Sequence, residues 1–139
     1  MATILQILNA DRNLSLFSQG LKIVGLENKL NEPGPFTVLG PVNLAINRLL
    51  SLSYEQLLEP ANHNSLLDFL SGYVLIGKKM INDFRNEQQL PALNGSHVRV
   101  TITGDETFIN GVKILSRDRQ GSNGVIHLLD KTYPVIEIS

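Results

Sequence analysis

The sequence predicts a single α+β domain over residues 1–139, with helices gathered early and sheet late. Three observations predict it. Apolar residues in the first half recur every three or four positions, the spacing of a helix face. In the second half they alternate with polar ones, the spacing of a half-buried strand. Between two such alternating runs stands Asn110-Gly111, the pair that best tolerates the two positive φ angles of a tight hairpin.

Taken in order, Thr3 is a natural N-cap for a helix carrying Ile4, Leu5, Ile7 and Leu8. Leu14, Phe17, Leu21 and Val24 follow on one helical face, and Gly25 is placed to stop it. Phe36-Thr37-Val38-Leu39 lies between prolines and glycines and reads as a short strand. Asn43 is positioned to cap a helix bearing Leu44, Ala45, Leu49 and Leu50. Ser53 with Gln56 three residues on forms a capping-box pattern before Leu57 and Leu58, and Pro60 ends that segment. Leu66, Leu67, Phe69 and Leu70 add another turn or two of helix.

Strands follow. Val98, Val100 and Ile102 point one way and His97, Arg99, Thr101 and Thr103 the other. Thr107-Phe108-Ile109 and Val112-Lys113-Ile114 flank the Asn-Gly turn, Val125 to Leu129 is a further strand, and Val135 to Ile138 another. Ser116 to Ser122 reads as a loop.

Composition narrows the function classes. Apolar residues make up 42% of the 139, enough for one core, and 18% are charged, too few for a disordered chain. The formal net charge is −1, without the electrostatic footprint of a general nucleic-acid binder. With no cysteine there is no disulfide framework, thiol nucleophile or thiolate zinc site. No apolar run approaches the roughly 18 residues of a membrane-spanning helix.

Two segments carry a resemblance that covers essentially the whole chain. Gly34-Pro35-Phe36-Thr37-Val38-Leu39-Gly40-Pro41-Val42-Asn43-Leu44-Ala45-Ile46 and Asn123-Gly124-Val125-Ile126-His127-Leu128-Leu129-Asp130 resemble the two signature blocks of the fasciclin-type (FAS1) domain, in the right order and at about the right separation. The signature positions here are Thr37, Asn43, Asn123, Gly124, His127 and Asp130. The resemblance implies helices packed on a wedge of mostly antiparallel strands, and a role in adhesion or extracellular interaction with a surface protein or polysaccharide. It implies no catalysis, no cofactor and no metal. It implies a cell-surface, periplasmic or secreted place, with no leader in this chain; a cytoplasmic place stays open. Where many members carry a Tyr-His pair, linked to integrin binding in animals, this chain has Gly72-Tyr73, and after Asp118 it has Arg119-Gln120 in place of apolar residues.

Candidate chemistry sorts accordingly. His127 and Asp130, three apart on a strand, face opposite ways and do not converge on a substrate. His127 is expected to be buried and hydrogen-bonded, with Asp130 pinning the loop that follows. His63, His97 and His127 lack metal-ligand spacing, and Asp105-Glu106 lacks further oxygen ligands. Gly121-Ser122-Asn123-Gly124 lacks the spacing of a nucleophile elbow, and its glycines are expected to allow a tight turn or positive φ. The candidate interaction residues are Tyr73, Arg117, Asp118, Arg119 and Gln120, with Tyr54 a further contact aromatic; core or half-buried packing is an equal reading of both tyrosines, and a solvated loop is the other reading of the rest. Arginine suits carboxylate, sulfate or phosphate because its fork is bidentate. An alternative function is a carrier of a small apolar ligand, lipid or pigment, in a helix–sheet groove.

Overall fold

The structure, a computed structural model, describes residues 1–48 and 53–133. Helix α1 (Ile4–Ala10) begins where the sequence expects. The Thr3 hydroxyl accepts from Gln6 N at 3.2 Å, and Gln6 Oε1 accepts from Thr3 N at 2.9 Å. That reciprocal cap satisfies two of the first turn's orphan donors. Ile4 and Leu8, one turn apart, are fully buried. Leu14 closes a 3-10 turn (Arg12–Leu14), and α2 (Ser15–Val24) carries Phe17 and Leu21 inward before ending at Gly25 with φ +80°. A further helix, α3 (Leu26–Leu30), buries Leu26 and Leu30. Its five residues are too short to show a period in sequence.

Asn43 does not cap its helix. Val42 is the cap, and Asn43 is the first residue of the four-residue α4 (Asn43–Ile46). Leu44 is 60% exposed rather than core-facing, and Leu49 and Leu50 lie outside the described residues. Ser53 and Gln56 form the expected capping box at α5 (Tyr54–Leu57). Pro60 opens a 3-10 turn (Pro60–Asn62) that leads into α6 (His63–Ser71), whose Leu66, Phe69 and Leu70 are buried.

Among the described residues, seven strands form the sheet: β1 (Phe36–Pro41), β2 (Val74–Ile76), β3 (Gln89–Pro91), β4 (His97–Thr103), β5 (Glu106–Ile109), β6 (Val112–Gly121) and β7 (Gly124–Leu129), in the order β2-β1-β7-β6-β5-β4-β3. All pairs are antiparallel except β1 with β7, which run parallel from Phe36↔Gly124 to Pro41↔Leu129. These two central strands are buried along their full length, as a parallel pair covered on both faces must be. Strand β4 shows the expected alternation, with Val98 and Val100 buried and His97 and Arg99 exposed. The Asn110-Gly111 turn has φ of 50° and 81°, the two positive values its hairpin requires.

The stretch from Ser116 to Gly121 is strand, not loop. It continues β6 along β7, with register shifts between Ile114 and Ser116 and between Ser116 and Arg119, and Asp118 takes φ +56°. Irregularities of this kind bend a strand and re-aim its side chains. At the far side of the sheet, β2 meets the end of β3: Leu75 bridges Ala92, and Leu93 N donates to Val74 O at 3.0 Å. The two outermost strands therefore cover part of each other's edge. One apolar cluster joins helix residues such as Ile4, Phe17 and Leu66 to sheet residues such as Val38, Val74 and Ile126. The expected strand Val135 to Ile138 lies outside the described residues.

Candidate functional site

The turn between β6 and β7 brings three distant segments together. Asn123 is 7% exposed. Its Oδ1 accepts from Ile4 N at 3.0 Å, and its Nδ2 donates to Leu30 O at 2.8 Å and Glu32 O at 2.9 Å. One amide thus ties the start of α1 and the end of α3 to the sheet. Gly121 and Gly124 flank it in the tight turn the sequence expects, and neither has a positive φ. They are glycine because of close approach. A Cβ on Gly124 would stand 2.2 Å from Phe36 O, and one on Gly121 would stand 2.7 Å from Ile4 N.

His127 is fully buried on β7. Its Nδ1 accepts from Asp118 N at 3.2 Å, so the proton sits on Nε2, which donates to Lys79 O at 2.7 Å. The Phe84 ring lies with its centroid 5.5 Å away. Burial lowers the His127 pKa below the usual imidazole value, against smaller upward pulls from the Lys79 hydrogen bond and the Asp118 carboxylate. Thr37 grips the same turn from β1: its hydroxyl donates to Gly77 O at 2.7 Å and accepts from Lys79 N at 2.8 Å. Asp118 Oδ1 accepts from Ile81 N at 2.8 Å. Thr37 and His127, one from each signature block, therefore converge on the segment from Gly77 to Ile81, and the bulge at Asp118 completes the grip.

Asp130 lies past the end of β7, so His127 and Asp130 share no strand face. Its Oδ1 is buried without a hydrogen-bond partner among the described residues, so no pinning bond is seen there. Asn43 ties α4 to the α1–α2 corner. Its Oδ1 accepts from Leu16 N at 2.9 Å, and its Nδ2 donates to Arg12 O at 2.9 Å and Ser15 Oγ at 2.8 Å.

Tyr73 is not a contact aromatic. It is fully buried, edge-on to Phe17 and Phe69 and against Tyr133 at 4.3 Å between centroids. Its hydroxyl accepts from Tyr133 N at 3.1 Å and donates to Tyr133 O at 3.3 Å. Burial raises the pKa of both phenols. Tyr54 is also buried, with its hydroxyl donating to Leu16 O at 2.6 Å. An aromatic with a polar tip suits a wet interface and a core equally well, so residue type alone does not separate the two.

The remaining candidates divide along β6. Arg117 and Gln120 are exposed, and Gln120 accepts from Lys78 Nζ at 2.8 Å. Arg119 is ion-paired through Nη1 with Asp11 Oδ2. Asp11 is held in turn by Asn13 N, which donates to its Oδ1 at 2.8 Å. The pair lines a shallow, open groove of about 610 Å³ between α1 and β6, as does Arg12. Asp11 and Arg12 were not among the sequence candidates, because nothing local links position 11 to position 119. No group of three or more metal-ligating side chains converges among the described residues, and none of their helices is long and apolar enough to cross a membrane.

Comparison with known proteins places these features. The family model described as Fasciclin domain matches residues 12–133. Protein sll1483 of Synechocystis is 29% identical over 129 residues, which cover 93% of this chain and 71% of that protein. Human periostin is 32% identical over 130 residues, covering 91% of this chain and 15% of that one. Synechocystis sll1735 is 27% identical across 94% of this chain and 96% of its own length. Among solved structures, the FAS1 domain pair from the insect cell adhesion molecule Fasciclin I superposes with a TM-score of 0.73 at 20% identity, over 94% of this chain and 50% of that one. The chain thus spans nearly all of one relative and a small part of another.

Proposed function

The chain belongs to the fasciclin domain family, and from that premise we propose that it is a non-enzymatic adhesion and interaction module, working at a cell surface, in the periplasm or in secreted material by binding a surface protein or polysaccharide. The observation that carries the reading is where the signature side chains point. Thr37, Asn43, Asn123 and His127 spend their hydrogen-bonding groups on backbone and neighbouring side chains of this chain. Such residues hold a scaffold rather than a substrate. Recognition then falls to the surface the scaffold presents, where Arg117, Arg119 and Gln120 stand on β6. A fasciclin domain pair from a cell adhesion molecule shares this fold, which supports the same reading. Affinity would rest on repetition of weak contacts.

Against the carrier alternative, Phe17, Leu66, Phe69 and Tyr73 are buried side chains of the one apolar cluster that joins helices and sheet among the described residues. The test of adhesion is the location of the native protein by fractionation and protease shaving of intact cells, followed by cell and glycan binding under multivalent display. Surface exposure with saturable binding is the expected outcome. A protein confined to the cytoplasm, or one that binds nothing when multivalent, would overturn the reading.

A further inference from the structure

The shallow groove between α1 and β6 gathers charge. Its lining mixes apolar Ala2, Ile7 and Ala10 with polar Gln6, and its charge comes from Asp11, Arg12 and Arg119. Arg119 reaches Asp11 through Nη1 alone, so its other N–H donors have no partner among the described residues. The Asp11 carboxylate thereby aims the guanidinium instead of consuming it. The Arg12 side chain is exposed and likewise has no partner among the described residues. Two cationic forks against one carboxylate leave the groove with one positive charge in excess. At about 610 Å³ the space is of the size that holds a small ligand, and it is shallow and widely open to solvent.

We propose that this groove binds the carboxylate of a uronic-acid residue within an acidic polysaccharide. Guanidinium forks match a carboxylate in two parallel hydrogen bonds, which fixes both position and orientation. The apolar part of the lining suits the C–H face of a sugar ring, and the open, shallow form lets a glycan chain run past the seated residue. A peptide partner fits less well. Extended peptides commonly add to an open strand edge, and here β2 and β3 cover part of each other's edge at Leu75 and Ala92. The inference rests on the adhesion reading and names the ligand class for it.

The experiment is calorimetric titration of the full chain with an oligogalacturonate, a neutral galactose oligomer of equal length and an acidic peptide. It is run on the wild type, Arg12→Glu and Arg119→Lys, the last keeping the charge toward Asp11 while losing the fork. The oligogalacturonate should bind, weaken with salt, and lose about tenfold or more in either variant, as expected when a charged hydrogen bond is removed. The neutral oligomer should bind far less. Equal binding of the neutral oligomer, unchanged binding in Arg12→Glu, or tighter binding of the peptide would overturn the proposal. Attachment of the multivalent protein to cells or matrix separates the two levels. Attachment that persists in both variants overturns the groove and leaves adhesion standing, whereas no attachment by the wild type overturns the adhesion reading itself.

Discussion

Replacing Asn123 by alanine removes one amide and leaves three partners behind. Ile4 N–H and Leu30 O belong to residues with no exposed surface, so water does not reach them. Each buried, unsatisfied group costs about 1–3 kcal/mol. Glu32 belongs to an exposed residue, and its carbonyl regains a water partner at little cost. Removing the amide also spares its own desolvation, which offsets part of the loss. The expected net destabilisation is about 3 kcal/mol, a large share of the 5–15 kcal/mol typical of a native domain. Equilibrium urea unfolding, followed by far-ultraviolet circular dichroism and by tyrosine fluorescence in a chain with no tryptophan, measures it. Asn123→Asp is the companion variant. It keeps an acceptor for Ile4 N–H but sets a carboxylate oxygen against the two carbonyls, and should be at least as unstable near neutral pH. A loss under about 1 kcal/mol for the alanine, or a wild-type-like aspartate variant, would refute the claim that this amide joins α1, α3 and the sheet.

Gly124→Ala puts a Cβ 2.2 Å from Phe36 O on a central strand, so a loss of at least about 3 kcal/mol is expected; a melting temperature within a few degrees of wild type would show that the β1–β7 pair gives way more easily than its burial implies. Because the folded-state pKa of His127 is lowered, the unfolded chain takes up the proton first, so this contribution to stability is full above 6.5 and shrinks as pH falls below it. The slope is at most about 1.4 kcal/mol per pH unit. His127→Gln should be less stable at pH 7 yet flatter from there downward, and parallel urea midpoints against pH would count against the buried imidazole as the cause. Tyr73→Phe keeps the ring among Phe17, Phe69 and Tyr133 but loses the hydroxyl's bonds to Tyr133. It should cost about 1–2 kcal/mol, speed amide exchange at Tyr133, and leave partner binding unchanged; a selective loss of binding without loss of stability would contradict its burial.

Features that arise from neighbours in the chain could be read in advance. The capping boxes at Thr3 and Ser53, the αL stop at Gly25, the alternation in β4 and the Asn110-Gly111 turn each depend on a few adjacent residues. The misreadings share a different origin. Ser116 to Gly121 is polar and irregular, and only pairing with β7 makes it a strand. β3 is three residues long and contains Pro91, so its pairing with β4 decides its conformation. Asn43 has the residue type of a cap, yet α1–α2 packing recruits its amide for Arg12, Ser15 and Leu16 instead. Tyr73 looks like a contact residue until Phe17 and Phe69 close over it. For the interaction surface, the sequence could offer the arginines of β6, but not that Asp11, 108 positions away, orients one of them.

The parallel pairing of β1 with β7 has a consequence for how the molecule is made. Phe36 pairs with Ile76 on one side but finds Gly124 on the other only 88 positions later, and Ile4 N–H finds Asn123 only 119 positions later. A chain emerging from the ribosome can therefore pair β1 with β2 early, but the other side of β1 and the start of α1 stay unmatched until β7 and the turn before it have been made. Contacts this distant in sequence make assembly slow. The β1–β7 seam and the Asn123 tie to α1 are thus the junctions that complete the fold, after the hairpins from β4 to β6 have their partners.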